Sequence, residues 1–312
     1  MSHRVAQSWR LRSRRWPAAA ALLSLLLLVA CATAAPTAAV TPQAAPTAVA
    51  TPPAVRIVSL APSNTEILFA VGAGAQIVGR DELSDYPAEA QQVASIGSTY
   101  GALNAEAILA LQPDLILGAD ITSPEQVQAL EDLGLTVFVL ANPVDFEGLF
   151  ANLERVGDLT GHSAEARTAV SGLRGRVQAV TQATQGAARP TVYYEVDGTD
   201  PTAPWTTGSG TFQSLLIQLA GGQNMAEEMQ GWGQISLEEL VARDPAVIVF
   251  GLGPWVPTTV EGLAARTGWG EIAAVQQGAV YGIDANWVDR PGPRLVDALE
   301  AMAGFIHPEL FE

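Results

Sequence analysis

Two stretches of the chain carry the same pattern, and this repeat decides the fold. The first reads N-A-E-A-I-L-A-L-Q-P-D-L-I-L (residues 104–117), and the second reads S-L-E-E-L-V-A-R-D-P-A-V-I-V (residues 236–249). Each begins with a good helix N-cap residue and has a glutamate at its third position. An apolar face at helical spacing follows, and a proline then ends the helix before a continuous apolar strand. The repeat predicts two similar α/β lobes.

The stretch between the two copies is predicted to be helical. Apolar residues recur at helical spacing from Phe146 to Val156, so a first helix should run to about Leu159, with Gly161 as its break. Ser163 is a suitable cap for a second helix of some twenty residues, which would be about 30 Å long. Because a helix docked on both lobes resists their swinging, only a small relative motion is expected.

Strands and helices alternate on both sides of this helical stretch, which predicts mostly parallel sheets flanked by helices. The expected fold class is therefore α/β, with two similar lobes joined by one long spine helix and a ligand cleft between them. The predicted order is a signal peptide (1–30), a disordered tether (31–54), an N-terminal lobe (55–145), a helical spine (146–186) and a C-terminal lobe (187–312).

The first thirty residues are typical of a targeting segment. Five arginines and no acid precede an apolar run at residues 18–30 that is too short to span a membrane as a helix. The run ends in L-V-A-C, which resembles a bacterial lipobox, so Cys31 is the predicted lipidation site. A plain secretory leader and a retained short anchor are the alternatives, and both Sec and twin-arginine export are open.

Residues 32–54 are almost entirely alanine, proline and threonine, which predicts a stiff, disordered tether to a membrane that the protein contacts only through its lipid. Taking the five leader arginines from the sixteen basic residues leaves eleven, all arginine, against 32 acids, a net charge of −21. Such a surface repels phosphate backbones, which excludes nucleic acid as a partner. The single cysteine also excludes an internal disulfide.

Signals for catalysis are weak. Beyond the leader the only histidines are His162 and His307, and the sequence has no free cysteine and no phosphate-binding glycine–lysine–serine loop. No enzyme, metal or cofactor is therefore predicted, and a cell-surface hydrolase or a purely structural lipoprotein remain as alternatives of other classes. Asp81, Glu82 and Asp85 could bind a divalent cation, but a solvated loop is the favoured interpretation.

Aromatic residues carry the main binding signal. Beyond the leader, all the tryptophans lie in the second lobe: Trp205, Trp232, Trp255, Trp269 and Trp287. Four of them are predicted in glycine-, proline- and asparagine-rich loops, whereas for the one near a helical segment, at position 269, a structural role in anchoring its own segment is favoured over ligand binding. Loops after strand ends form the ligand crevice of α/β lobes, although a loop tryptophan can also simply anchor its own loop. Tyr86 and Tyr100 occupy comparable loops of the first lobe. Arg290 could meet a ligand amide, carboxylate or phosphate, or pair with an acid.

Several motifs together resemble a known family. These are S-L-A-P-S-N-T-E-I-L-F-A-V-G-A-G (59–74), D-Y-P (85–87), the first repeat copy, G-W-G-Q-I-S-L-E-E-L (231–240) and N-W-V-D-R-P-G-P-R (286–294). They are similar to the cobalamin-binding proteins of vitamin B12 ABC importers and, more broadly, to the substrate-binding proteins for cobalamin, siderophores and haem. The resemblance covers residues 56–306.

The resemblance implies a function and a set of site residues. A lipid-anchored extracytoplasmic protein would capture cobalamin or a related corrinoid and deliver it, as a monomer, to an ABC permease with its ATPase. Glu106 and Glu238 would dock onto arginine pockets of the permease. The implied ligand contacts are Tyr100, Trp205, Trp232, Trp287 and Arg290. A ferric siderophore is the alternative ligand, and haem is a further one because Tyr100 could supply an axial oxygen.

Overall fold

A computed structural model describes residues 53–253 and 258–311. The predicted leader, the lipidation site Cys31 and Trp255 lie outside the described residues, as does the tether apart from Pro53 and Ala54. These two residues lie against the folded chain, where the Ala54 amide donates to the Leu159 carbonyl at 3.0 Å.

The N-terminal lobe is a parallel sheet with helices around it. Its elements are β1 (Ile57–Ser59), α1 (Pro62–Ala70), β2 (Ile77–Arg80), α2 (Ala105–Ala110), β3 (Leu115–Ala119), α3 (Pro124–Asp132) and β4 (Val137–Leu140). The strands lie in the order β2-β1-β3-β4, and every pair is parallel. This arrangement confirms the prediction from the alternation of strands and helices.

Two helices follow, α4 (Phe146–Thr160) and α5 (Ser163–Ala183). Asp145 caps α4 by accepting from an amide in its first turn, and Gly161 ends that helix with a φ of 79°. This left-handed conformation is strained for residues with a side chain, which is why glycine terminates the helix here. The break therefore lies at the predicted glycine.

The C-terminal lobe contains a mixed sheet. Its elements are β5 (Thr191–Asp197), β6 (Trp205–Thr207), α6 (Phe212–Leu219), β7 (Gln223–Asn224), β8 (Trp232–Gln234), α7 (Leu237–Arg243), β9 (Val247–Leu252), α8 (Val260–Ala264), α9 (Ala273–Gln277), β10 (Val280–Asp284), α10 (Ala285–Val288) and α11 (Leu295–Ile306). The strand order is β10-β9-β5-β6-β8, with β7 also paired to β5. Strands β10, β9 and β5 are parallel, whereas β6 and β8 form an antiparallel ribbon that the alternation of strands and helices did not predict.

Both copies of the repeat fold alike. Asn104 and Ser236 cap α2 and α7 with their side chains, and the strands that follow, β3 and β9, each pair in parallel with the first strand of their lobe. The residue before each proline is left-handed, with a φ of 46° at Gln112 and 45° at Asp244. These two positions are related by the repeat, so the tight turn from helix to strand is part of the repeated unit.

The spine shares its apolar core with both lobes. One cluster of buried side chains runs from Leu68 on α1 through Phe150 on α4 and Val180 on α5 to Met302 on α11. Helix α4 packs on α1, and α5 packs on α4 and α11. Arg176 on α5 also pairs with Asp297 and Glu300 of α11, at 2.6 Å in each case. Helix α5 is therefore the long helix that joins the lobes, as predicted. Within the described ranges, no helix is long and apolar enough to cross a membrane.

Candidate functional site

The carboxyl ends of the strands in the two lobes face each other. In lobe one, Glu66 lies on the helix that follows β1, and Asp85 lies in the loop that follows β2. In lobe two, Arg290 and Arg294 lie after β10, between α10 and α11. These four residues contact one another across the lobes, and we call them the cross-lobe cluster. Since ligands of open α/β sheets bind beyond the carboxyl ends of the strands, the cluster marks the region of the candidate site.

Within the cross-lobe cluster, the guanidinium of Arg294 donates to both oxygens of Glu66, from Nε at 3.0 Å and from Nη2 at 2.6 Å. Arg290 donates from Nη1 to Asp85 Oδ1 at 2.7 Å and from Nη2 to the Leu83 carbonyl at 3.2 Å, and its Nη1 lies 3.5 Å from Glu66 Oε1. In this structure Arg290 is thus engaged by acids, which is the second of the two roles that its sequence allowed.

Burial decides the electrostatics of Glu66. The Glu66 side chain is only 2% exposed, and this burial raises the pKa of its carboxyl group although Arg294 and Arg290 both act to lower it. A buried carboxylate is costly without partners, and the two-pronged contact with an arginine is the geometry that best offsets this cost. Glu66 belongs to the motif at residues 59–74, but no feature of the sequence indicated a role for it.

The acidic loop after β2 is partly buried. Asp81 accepts hydrogen bonds from the Ser84 hydroxyl and from the Leu83 amide, and Thr65 extends the hydroxyl network to Ser59. Burial raises the pKa of Asp81. The interpretation of this stretch as a solvated loop is therefore wrong for Asp81, because its carboxyl group is an internal acceptor that fixes the turn after β2.

Two of the predicted tryptophans lie on the antiparallel ribbon and not in loops. Trp205 begins β6 and Trp232 begins β8, and the register pairs Trp205 with Gln234 and Thr207 with Trp232. Side chains two positions apart on a strand point to the same face, so both indoles lie on one face of the ribbon, in diagonal positions. The residues are 43% and 55% exposed, respectively. The loop assignment failed because each strand is only three residues long, which is too short to show an alternating pattern, and glycine or proline lies beside or within it.

The ribbon is held from behind by polar contacts. The Thr206 hydroxyl donates to the Tyr194 carbonyl at 2.8 Å, and the Asn224 amide donates to the Thr207 carbonyl at 2.9 Å. Both threonines and Asn224 are buried. Because these buried groups fix the backbone of β6, the half-exposed indoles are presented on a rigid support rather than on a mobile loop.

The remaining described tryptophans differ from one another. Trp269 is completely buried, packs edge-on against Tyr193 and donates its indole N–H to the Pro201 carbonyl at 3.1 Å. This burial agrees with the structural role that was predicted for Trp269. Trp287 lies on α10, where it is partly buried against the shared apolar core. Trp287 is therefore less available to a ligand than the two tryptophans of the ribbon.

Tyr100 is the most exposed of the predicted ligand contacts, at 68%. Its backbone is held on both sides, because the amide group of Gln126 on α3 donates to the carbonyls of Thr99 at 3.1 Å and Gly101 at 2.5 Å. Within the described ranges the ring of Tyr100 forms no stacked or edge-on pair with another aromatic ring. A fixed loop therefore presents an open phenol, and Gln126 is a supporting residue that no sequence motif indicated.

The two glutamates of the repeat lie on the surface. Glu106 and Glu238 are in the first turns of α2 and α7, and both are exposed. Among the described residues neither forms an ion pair. Two such free carboxylates at matching positions of the two lobes are available to basic groups of another protein.

Groups that could support catalysis or metal binding are dispersed. His162 lies 3.9 Å from Glu165 at the break between the spine helices, and His307 lies at the end of α11 beside Glu309. In the part of the chain that the structure describes, no three histidine, cysteine, aspartate or glutamate side chains are grouped so as to hold a metal ion.

A surface depression of about 720 Å³ lies elsewhere on lobe one. It is lined by Pro53, Asp114, Leu115 and Thr136, which lie at the amino ends of β1, β3 and β4, and by residues of α4. Because ligands of α/β lobes bind at the opposite, carboxyl ends, we do not assign this depression as the ligand site.

Comparison with known proteins places this geometry in a family. The family model described as periplasmic binding protein matches residues 57–287. The chain belongs to the periplasmic binding protein family. An ABC transporter substrate-binding lipoprotein of Bacillus subtilis is 31% identical over 268 residues, covering 82% of this chain and 81% of that protein. A vitamin B12-binding protein of Salmonella choleraesuis is 31% identical, covering 79% of this chain and 88% of the relative.

Solved structures show the same two-lobe fold in this family. The periplasmic vitamin B12-binding protein of Vibrio cholerae superposes with a TM-score of 0.69 at 27% identity, covering 83% of this chain and 99% of that one. The periplasmic haem-binding protein of a Roseiflexus species superposes with a TM-score of 0.72 at 26% identity, covering 82% and 98%. This periplasmic binding protein is thus an extracytoplasmic, non-enzymatic substrate-binding component of an ABC importer.

Proposed function

We propose that this protein is anchored by a lipid at Cys31, captures cobalamin or a related corrinoid, and delivers it to the permease of an ABC importer. The observation that carries the proposal is the pair of half-exposed indoles, Trp205 and Trp232, on one face of a rigid ribbon. Two large, fixed aromatic faces are suited to covering a broad, ring-bearing ligand.

Charge supports a ligand without a large negative charge. Arg290 and Arg294, the arginines found between the lobes, are both paired with carboxylates of lobe one. An anionic siderophore would have to compete with Glu66 and Asp85 for them, whereas the side-chain amides of a corrinoid need only hydrogen-bond donors and acceptors. In this proposal Tyr100 and Trp287 add aromatic surface, and Arg290 contacts a ligand amide without leaving its acids.

Haem is the second candidate, and Tyr100 is the observation that favours it. Its phenol is exposed on a fixed loop and could serve as an axial ligand to iron. The similarity to the haem-binding protein of Roseiflexus agrees with this possibility.

For delivery we propose that Glu106 and Glu238 bind basic pockets on the permease, one from each lobe. Their exposure and their matching positions in the repeat support this role. The negative net charge of the protein favours a basic partner surface.

A calorimetric titration tests the ligand. The chain from position 31 onward would be titrated with cyanocobalamin, cobinamide, haem and ferric siderophores. Sub-micromolar binding of the two corrinoids only is the expected result. Binding of haem alone, with loss of its absorbance shift in Tyr100→Phe, would replace cobalamin by haem. Binding of none of these ligands would contradict the proposal.

A further inference from the structure

The cross-lobe cluster is asymmetric in its burial. Glu66 and both arginines are largely buried, whereas the Asp85 side chain is 53% exposed. Glu66 contacts both arginines, but Asp85 reaches only Arg290. Glu66 is therefore the residue on which the contact between the lobes depends most, and Asp85 is a natural control because it makes a similar contact in a more solvated position.

The backbones of the two lobes also approach each other closely at this point. A Cβ atom added to Gly292, which lies between the two arginines, would be 3.2 Å from Glu66 Oε2 and 3.7 Å from the Cα of Ser63. Arg294 and Arg290 are thus held against Glu66 by a close backbone approach and not by long, adaptable side chains alone. A larger separation of the lobes would break the two-pronged contact to Glu66.

The cluster is connected to aromatic residues at the candidate site. The guanidinium of Arg294 lies over the ring of Tyr86 in lobe one, 4.2 Å from its centroid, and Arg290 follows the helix that carries Trp287. In the sheet of lobe two, β10 leads to the cluster, whereas the ribbon with Trp205 and Trp232 includes β8 at the other edge. Four strand spacings separate β10 from β8, which is about 19 Å. The cluster and the ribbon thus lie near opposite edges of the sheet of lobe two.

We propose that Glu66, acting through Arg294 and Arg290, is a positioning residue that fixes the separation of the lobes and thereby the size of ligand that the cleft accepts. The fixed separation follows from the contacts of the cluster and holds for the protein without ligand. Selection by ligand size rests in addition on the proposed function.

Distance measurement tests the first half of the proposal. Spin labels would be placed at Glu131→Cys on α3 and Gln277→Cys on α9, both exposed, in the chain from position 31 onward with Cys31→Ser to remove the single native thiol. The parent should give one narrow distance distribution. In Glu66→Gln a population with longer distances should appear. The ratio of molecules at the parent distance to molecules at longer distances should fall at least about tenfold, because two buried arginines lose the carboxylate that they share. Asp85→Asn should resemble the parent.

Rescue distinguishes positioning from a general loss of structure. The double substitution Glu66→Gln with Arg294→Gln removes one charge of each sign, so part of the narrow distribution should return. An unchanged distribution in Glu66→Gln would overturn the proposal. A broadened distribution accompanied by the loss of helical circular dichroism would also overturn it, because Glu66 would then support folding in general and not the separation of the lobes.

Ligand titration tests the second half. In the parent, one of the two corrinoids, cobinamide or cyanocobalamin, should have the larger Kd. Glu66→Gln should reduce the ratio of the larger Kd to the smaller one by about tenfold, because a wider cleft discriminates less by size. An unchanged ratio despite a broadened distance distribution would overturn size selection. If the parent protein binds no corrinoid, the proposed function is wrong. The distance measurements would still test whether Glu66 fixes the separation of the lobes.

Discussion

Replacement of Trp232 by alanine should weaken ligand binding by about tenfold to a hundredfold. Trp232 is 55% exposed, and a tryptophan offers up to about 250 Å² of surface, so roughly 130 Å² is available to a ligand. If a bound ligand covers between half and all of this area, burial contributes about 1.5–3 kcal/mol at 25 cal/mol per Å². Since each 1.4 kcal/mol is a tenfold change in Kd, the expected loss follows directly.

Isothermal calorimetry with cyanocobalamin is the appropriate assay, because corrinoids absorb light and complicate fluorescence. Trp232→Phe keeps an aromatic face and should lose only about threefold. Leu133→Ala is the matched control, since Leu133 is 46% exposed but lies at the end of α3, away from the ribbon. A Kd of Trp232→Ala within about threefold of the parent would refute the assignment of the ribbon as the main contact surface.

Three further predictions concern delivery, titration and the repeat. The double substitution Glu106→Ala with Glu238→Ala should abolish uptake of the ligand by cells but leave the ligand Kd unchanged. Glu131→Ala is the surface control. Normal uptake by the double variant would contradict docking through these glutamates. Burial raises the pKa of Asp81, so the folded protein binds a proton at this carboxyl group more tightly than the unfolded chain does. The free energy of unfolding should therefore fall as pH rises from about 3.8 through the folded pKa. Denaturant unfolding at stepped pH should show that Asp81→Asn lacks this fall, and parallel curves would contradict it. Gln112→Gly should raise the unfolding free energy by about 0.5–1 kcal/mol by relieving its left-handed φ, as measured by urea unfolding, and a lower stability would contradict that account.

The sequence predicted the fold well because its strongest signals are local. Each repeat copy joins a capped helix to an apolar strand, and Asn104 and Ser236 cap as expected because capping depends on only the next few residues. The glycine that separates the spine helices was likewise predicted correctly. The left-handed turns at Gln112 and Asp244 were not predicted. Aspartate is enriched in that conformation, but glutamine is not, and a residue before a proline is usually extended.

Features that depend on distant contacts were missed. The ribbon of β6 and β8 forms between segments about 27 residues apart, and its strands are too short to show an alternating pattern. The pairing of Glu66 with Arg294 joins residues 228 positions apart, so no local spacing could indicate it. The sequence identified Arg290 as functional but left two roles open, and the structure shows its acidic partners.

The attachment of α5 to both lobes affects how empty and ligand-loaded molecules compete for the permease. If Glu106 and Glu238 dock as proposed, the spine and the Arg176 pairs with α11 keep these two carboxylates at nearly the same spacing whether or not a ligand is bound. Empty and loaded molecules would then compete for the same importer on almost equal terms. Cells that produce this protein in large excess over its permease should import more slowly when the ligand is scarce, because unloaded molecules occupy the importers.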